Sequence, residues 1–210
     1  MEMIQKYFTD FSEKQIEQFA ALKDLYIDWN SKINVISRKD TDNFYEHHVL
    51  HSLAIAVKFE FAKDKQIMDL GCGGGFPGIP LAIMFPDAHF HLVDSINKKL
   101  KVVAEIAAAI GLQNVSTQHC RAEDIKNRKF DVVVSRAVAP LKDLWHWSKP
   151  LIQKRKVDDT QSPNGLICLK GGDLTTEIFE SGCKPNIWEI EKIFPHEFFT
   201  EKYLLYIPAR

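Results

Sequence analysis

Several quick classifications are closed by what the chain lacks. Its 210 residues contain no apolar run of the roughly 20 residues that a membrane span needs. The N-terminal stretch MEMIQKYFTDF is polar and carries acids, unlike a secretory signal. Cys72, Cys120, Cys168 and Cys183 form no CxxC pair. Neither a zinc ribbon nor a disulfide framework is therefore expected, and reduced thiols in the cytoplasm are the simplest reading. The formal net charge of −1 lacks the strongly basic balance of a general nucleic-acid binder, so any RNA role must rest on local patches. There is no HExxH. His47 and His51 share a helical face but have no carboxylate at a third ligand spacing, so no metal is expected.

What remains is ordinary for a globular protein: 45% apolar and 26% charged residues, enough for one large domain with a small appendage. Residues 12–29 carry Ile16, Phe19, Leu22 and Leu25 at helical spacing, with Ser12 and Gln15 as a capping box. A second helix is expected over 41–58, capped by Thr41 or Asp42. From residue 66 short apolar runs alternate with helical stretches. Strands are expected at QIMDLG (from 66), HFHLVDS (from 89), NVSTQHC (from 114), FDVVVS (from 130) and GLICLKG (from 165). A helix over 96–110 is stopped by Gly111. This alternation implies a doubly wound, mainly parallel α/β sheet covered on both faces. The runs at 187–194 and 202–208 have no helix between them and read as a closing antiparallel pair. The division expected is an N-terminal helical extension, 1–60, packed on a core, 61–210. The polar run 154–165 reads as a mobile surface loop.

The stretch DLGCGGGFPG, residues 69–78, holds five glycines in ten residues. It follows the first strand, where a doubly wound sheet binds its ligands. No lysine follows Gly78, which excludes a nucleotide-triphosphate loop. Gly73, Gly75 and Gly78 match the dinucleotide pattern GxGxxG, but Pro77 and Pro80 crowd the following helix. Asp69, Gly71, Gly73 and Gly75 instead fit an S-adenosylmethionine site: an acid, then three alternating glycines. That cofactor has no phosphate to place at a helix N-terminus. Its amino-acid tail suits an acid such as Asp69 and bare backbone. Asp94, ending the second strand, can accept two ribose hydroxyls in either cofactor class, or cap a helix with Ser95. Ala122 and Glu123, beyond the third strand, suit an adenine ring; a solvated glutamate is the alternative.

Together these residues resemble the glucose-inhibited division protein B family, bacterial methyltransferases that modify N7 of a guanine in small-subunit ribosomal RNA. The resemblance rests on the FPGIP continuation of the glycine loop, Arg121-Ala122-Glu123, Ser135-Arg136-Ala137 and Leu169-Lys170-Gly171. Trp29-Asn30, Asn34 and the stretch from His48 to Ser52 add to it, and it covers nearly the whole chain. It implies a Rossmann-like class I methyltransferase fold. It also implies a cofactor site using Gly71, Phe76, Ala122, Glu123 and Arg136. His48, Ser135 and Lys170 become candidates for substrate contact. The chain departs from the family pattern at His51, where an aspartate is usual.

The chemistry agrees. Guanine N7 carries an in-plane lone pair and no proton, so methyl transfer needs orientation and no general base. No Asn/Asp-Pro-Pro-aromatic motif follows the fourth strand, as an exocyclic-amine methyltransferase would have. No cysteine stands there as a C5 nucleophile. Arg136 is the residue expected to orient substrate or cofactor: its fork can donate to guanine O6 or hold the cofactor carboxylate. Basic runs at 98–101, 126–129 and 149–156 become candidate phosphate contacts, while Trp145 and Trp147 read as core or helix packing, with stacking on bases as the alternative. The expected substrate is 16S rRNA within the 30S subunit or its precursor. The alternatives are a methyltransferase of small molecules or proteins, an NAD(P)-dependent oxidoreductase, and a non-catalytic ribosome-assembly protein.

Overall fold

Along the central strands successive side chains face opposite sides, and both sides are apolar. Ile67 packs into one hydrophobic cluster, while Met68 and Leu70 pack into another. A strand apolar on both faces must sit inside a covered sheet. The computed structural model describes residues 1–37, 40–136, 138–154 and 164–209, and these build a seven-stranded sheet in the order β3-β2-β1-β4-β5-β7-β6. The strands are β1 Gln66–Leu70, β2 His89–Asp94, β3 Val115–His119, β4 Val132–Arg136, β5 Gly165–Gly171, β6 Asn186–Glu189 and β7 Lys202–Pro208. β1 to β5 are parallel, and β7 runs antiparallel to both β5 and β6. The order reverses between β1 and β4, so the two chain crossovers diverge at the carboxyl end of β1.

Two differences from the sequence expectation matter. β4 starts two residues later than expected and runs on through Arg136, which places that side chain at the sheet's carboxyl edge. The expected strand 187–194 is cut short at Glu189, because Ile190–Lys192 winds into a 3-10 turn with Ile190 buried.

The N-terminal part begins with α1, Glu2–Gln5, and α2, Glu13–Lys32. The capping box of α2 is formed: the Ser12 hydroxyl accepts the Gln15 N–H, and the Gln15 side-chain oxygen accepts the Ser12 N–H. Gln15 also donates to the carbonyls of Ile83 and Met84, and Gln18 to that of Ile110. α2 thus lies across the ends of two later helices. The expected helix 41–58 is corrected: Tyr45–Leu50 form a π-helical turn, continued only by α3, His51–Leu53, and no side chain caps it. Residues 48–55 are buried without a break, so packing on all sides overrides the amphipathic period. The wider turn belongs with functional sites elsewhere in proteins.

α4, Gly78–Met84, and α5, Asn97–Ala109, lie on the same side as the N-terminal part and share its core cluster. α6, Leu141–Ser148, and α7, Thr175–Ser181, cover the other side with Met68, Val133, Leu166 and Leu205. Gly111 takes φ +67° just past α5, as a helix stop requires. Most of the polar run 154–165, together with Ala137, lies outside the described residues.

Candidate functional site

The glycine loop leaves β1 at Leu70 and is drawn across the sheet to β2. The N–H groups of Gly71 and Cys72 both donate to the Val93 carbonyl, at 2.8 and 3.0 Å. The Gly73 N–H donates to Asp94 Oδ2 at 2.8 Å. Gly73 sits at φ +54°, and a Cβ there would meet nothing within 4 Å. Its side toward the cleft is open, and glycine is present for its backbone conformation. Gly74 is different: a Cβ would lie 2.8 Å from the Val35 carbonyl oxygen, so the N-terminal segment presses directly on the loop. Tyr26 of α2 completes this clamp, its hydroxyl donating to the Gly74 carbonyl at 2.5 Å.

A cleft opens along the carboxyl ends of β1 to β4, in two connected parts. One part, about 230 Å³, is walled by Gly71, Asp94, Ala122, Glu123 and Trp147. The other, about 430 Å³, is walled by Gly71 to Gly74, Phe76, Lys99 and Arg136. Gly71, Asp94, Ser95 and Val138 border both. Asp94 Oδ1 accepts the Ile96 N–H at 2.8 Å while Oδ2 accepts Gly73. Each oxygen keeps a lone pair for a hydroxyl in the cleft. Asp94 therefore organises the turn into α5 and lines the cleft at once.

Arg136 is the charged centre of the wider part. Its Nη1 donates to the His47 carbonyl at 3.1 Å, and its Nη2 to His48 Nδ1 at 3.2 Å. Its guanidinium lies 5.0 Å over the Phe76 ring. Arginine only donates, so His48 Nδ1 accepts and its ring proton sits on Nε2. That Nε2–H is buried with no partner. Burial, helped by the Arg136 charge, lowers the His48 pKa to about 3, and the same causes hold His51 well below its ordinary value. Both histidines are neutral, and Arg136 has no ion-pair partner among the described residues. Burial lowers the Arg136 pKa to about 10, so it remains a cation. Asp69 and Asp40 act on it only through space, and its hydrogen-bond partners are neutral, so its free donors suit an anion.

Other expected site residues are placed differently. Asp69 is fully enclosed beneath the loop: Oδ2 accepts the Gly78 N–H at 2.7 Å and Oδ1 has no partner. Burial pushes its pKa up to about 7. It pins the entry to α4 from behind and does not stand on the cleft wall. Ser135 is wholly buried, its hydroxyl donating to the Leu70 carbonyl at 2.9 Å between β4 and β1, which takes it out of reach of a substrate. Lys170 donates to the Ala139 carbonyl and pairs with Glu177, both at 2.6 Å, which ties it between α6 and α7. Neither substrate expectation fits these positions. His47 bonds Asp40 at 2.9 Å and stacks on Phe198 with ring centroids 3.7 Å apart. Among the described residues no group of three His, Cys, Asp or Glu side chains could hold a metal.

Sequence reasoning missed four contributors. Tyr26 and Val35 press on the loop from the N-terminal part, Val138 borders both cleft parts, and Trp147 walls one of them. The indole pair at 145 and 147 was the one available signal, because residues two apart on a helix point in different directions: both rings edge the same cluster, yet Trp147 lines the cofactor cleft and Trp145 does not.

The cleft therefore suits a ligand with an anionic end at Arg136, a vicinal diol at Asp94 and a flat heterocycle at Ala122 and Glu123. The family model described as rRNA small subunit methyltransferase G matches residues 15–194. A relative named Ribosomal RNA small subunit methyltransferase G, from Phocaeicola vulgatus, is 59% identical over 207 residues, covering 99% of this chain and 98% of its own. One of the same name from Cytophaga hutchinsonii is 48% identical over 209 residues, covering 100% of both. Among solved structures, a SAM dependent methyltransferase from Aquifex aeolicus shares the fold at TM-score 0.55 and 12% identity. That alignment covers 83% of this chain and 100% of the other.

Proposed function

The chain belongs to the rRNA small subunit methyltransferase G family, and from that premise we propose how its residues carry the reaction. The enzyme transfers the methyl group of S-adenosylmethionine to N7 of a guanine in 16S rRNA. The observation that carries the site assignment is Arg136, a buried guanidinium without a carboxylate partner, facing a glycine loop with open backbone.

S-adenosylmethionine supplies a methyl group already activated on a sulfonium. The protein's part is to bind and orient. Arg136 holds the cofactor carboxylate with the donors that His47 and His48 leave unused, a charge-assisted fork. Phe76 fixes the plane of that fork from beneath. The open backbone at Gly71 and Gly73 lets the amino-acid tail lie close, and Asp94 accepts the ribose hydroxyls. Glu123 and the Ala122 backbone meet the adenine edge, with Trp147 closing that end. Asp69 acts through the loop, by fixing Gly78. His48 is a positioning residue for Arg136, whose Nη2 donates to its Nδ1. Guanine N7 needs no proton removed, so the absence of a free base near Arg136 is no obstacle.

The 30S subunit or its precursor is the proposed form of the substrate, which places the enzyme in the cytoplasm. No described helix is long and apolar enough to cross a membrane. Residues 1–60 act as the wall that presses the glycine loop into place.

The test is tritium transfer from labelled S-adenosylmethionine to unmodified 30S subunits, with naked 16S rRNA and bulk protein alongside. Label at a 7-methylguanine of 16S rRNA is expected. In parallel, Arg136→Ala is expected to weaken cofactor binding in calorimetry at least about tenfold. Normal cofactor affinity in a folded Arg136→Ala protein would remove the carboxylate role.

A further inference from the structure

A second groove lies at the opposite end of the sheet. Lys129 precedes β4, and residues 151–153 run beside Phe130, bonded to it through the Leu151 carbonyl and the Gln153 N–H. Ala209 follows β7, whose Pro208 pairs with Gly165 at the start of β5. These residues therefore gather at the amino ends of the parallel strands, away from the cofactor cleft. They enclose a groove of about 380 Å³ lined by Lys129, Lys149, Lys154 and the indole of Trp145. Among the described residues, no carboxylate lines it.

Two of the basic runs seen in the sequence, 126–129 and 149–156, meet here, although about 20 residues separate them. Arg155 and Lys156 lie outside the described residues. Arg128 is not part of the groove; it stacks on Phe130 and bonds His91. Lys129 is held in place by donating to the Pro150 carbonyl. Lys149 stands 5.8 Å over the Trp145 ring. Ammonium groups gathered around a half-buried indole are what an unpaired ribonucleotide segment needs: cations for phosphates and a flat face for a base.

We infer that this groove is a second RNA-docking site, gripping an unpaired stretch of the rRNA substrate while the target guanine sits near Arg136. The inference rests on the rRNA methyltransferase reading. Lys129 and Arg136 are seven residues apart along an extended strand, about 23 Å. No single nucleotide reaches both places. A substrate must be a polymer folded so that two segments meet the two ends of the sheet together. α6 links the two sites, turning Trp147 to the cofactor cleft and Trp145 to the groove.

The test is the double variant Lys149→Glu, Lys154→Glu, with methyl transfer to 30S subunits followed from 50 to 200 mM salt. Two lost phosphate contacts on a single strand lower the slope of log KM against log salt by about 1.4, so the wild-type KM rises about sevenfold more over that range than the variant's. Cofactor affinity by calorimetry and the melting temperature should match wild type. The single variant Trp145→Phe, which keeps a ring, should retain the wild-type salt slope while raising KM for the subunit. An unchanged slope and KM in a folded double variant would overturn the groove and leave the reaction intact. A wild-type protein that labels no 16S rRNA would instead overturn the reading beneath it. Loss of cofactor affinity in the double variant would mean that the lysines act on the fold, and would also refute the groove.

Discussion

Tyr26 offers the sharpest test of how the N-terminal helix serves the site. Its ring is fully buried between Phe44 and Phe76, with centroids 5.2 and 4.9 Å away, and its hydroxyl donates to Gly74 at 2.5 Å. Tyr26→Phe keeps the ring and removes that donor alone. The Gly74 carbonyl is then buried without a partner, at a cost of about 2 kcal/mol. For a chain of this length that is about 6 °C in melting temperature. The loop loses its anchor on the side away from the cofactor, and a comparable loss in binding would weaken cofactor affinity by about tenfold or more. Burial holds the Tyr26 pKa far above its ordinary value. The phenol is therefore a donor at every working pH, and the loss should not vary between pH 6 and 9. Tyr45→Phe is the control: its hydroxyl donates to the Phe19 and Ala20 carbonyls inside α2, which already accept helix bonds. Differential scanning calorimetry and titration with S-adenosylmethionine read both effects. If Tyr26→Phe melts and binds like wild type, the clamp is packing and nothing more.

Two further outcomes follow from buried charge. Asp69 has its pKa raised by burial to about 7, so the folded state holds a proton that the unfolded state releases near pH 4. Its contribution falls as pH rises from about 4 to about 7, by up to about 4 kcal/mol over the three units. The buried neutral His48 and His51 act in the opposite sense below their unfolded pKa, so the wild-type minus Asp69→Asn difference in unfolding free energy isolates the carboxyl. A pH-independent difference would contradict this. Lys170→Met should lower stability by about 2 kcal/mol, because the Ala139 carbonyl loses its donor and Glu177 loses its cation while keeping only the Leu141 N–H. Turnover per folded molecule on 30S subunits should hold; lost turnover at an unchanged melting temperature would return Lys170 to the substrate.

The strand alternation and the glycine loop were readable because each follows from a local rule: period-two apolarity, or backbone that must pass close to a ligand. Asp94, Ala122, Glu123, Phe76 and Arg136 all came to one cleft, since each ends or follows a strand at the same sheet edge. Ser135 and Lys170 end or follow strands at that edge too, yet their side chains are held by the Leu70 carbonyl and by Glu177 and the Ala139 carbonyl. Sitting in a motif beside Arg136 or Gly171 says nothing about which way a side chain turns, and strand alternation sends Ser135 inward. The π-helical turn was invisible because packing from every side, and not an amphipathic period, shapes residues 48–55. Tyr26 gave no signal because its role depends on a contact 48 residues away.

The place of β7 has a bearing on how the protein is made. Residues 202–208 leave the ribosome after every other strand of the sheet, yet they insert between β5 and β6 and pair with both. Until then β5 presents an open edge carrying Leu166, Ile167, Cys168 and Leu169 in succession. An exposed apolar edge of that kind invites pairing with another chain. The sheet therefore cannot close until residues 202–208 are free to enter it, and the last few residues made decide whether the β5 edge is covered.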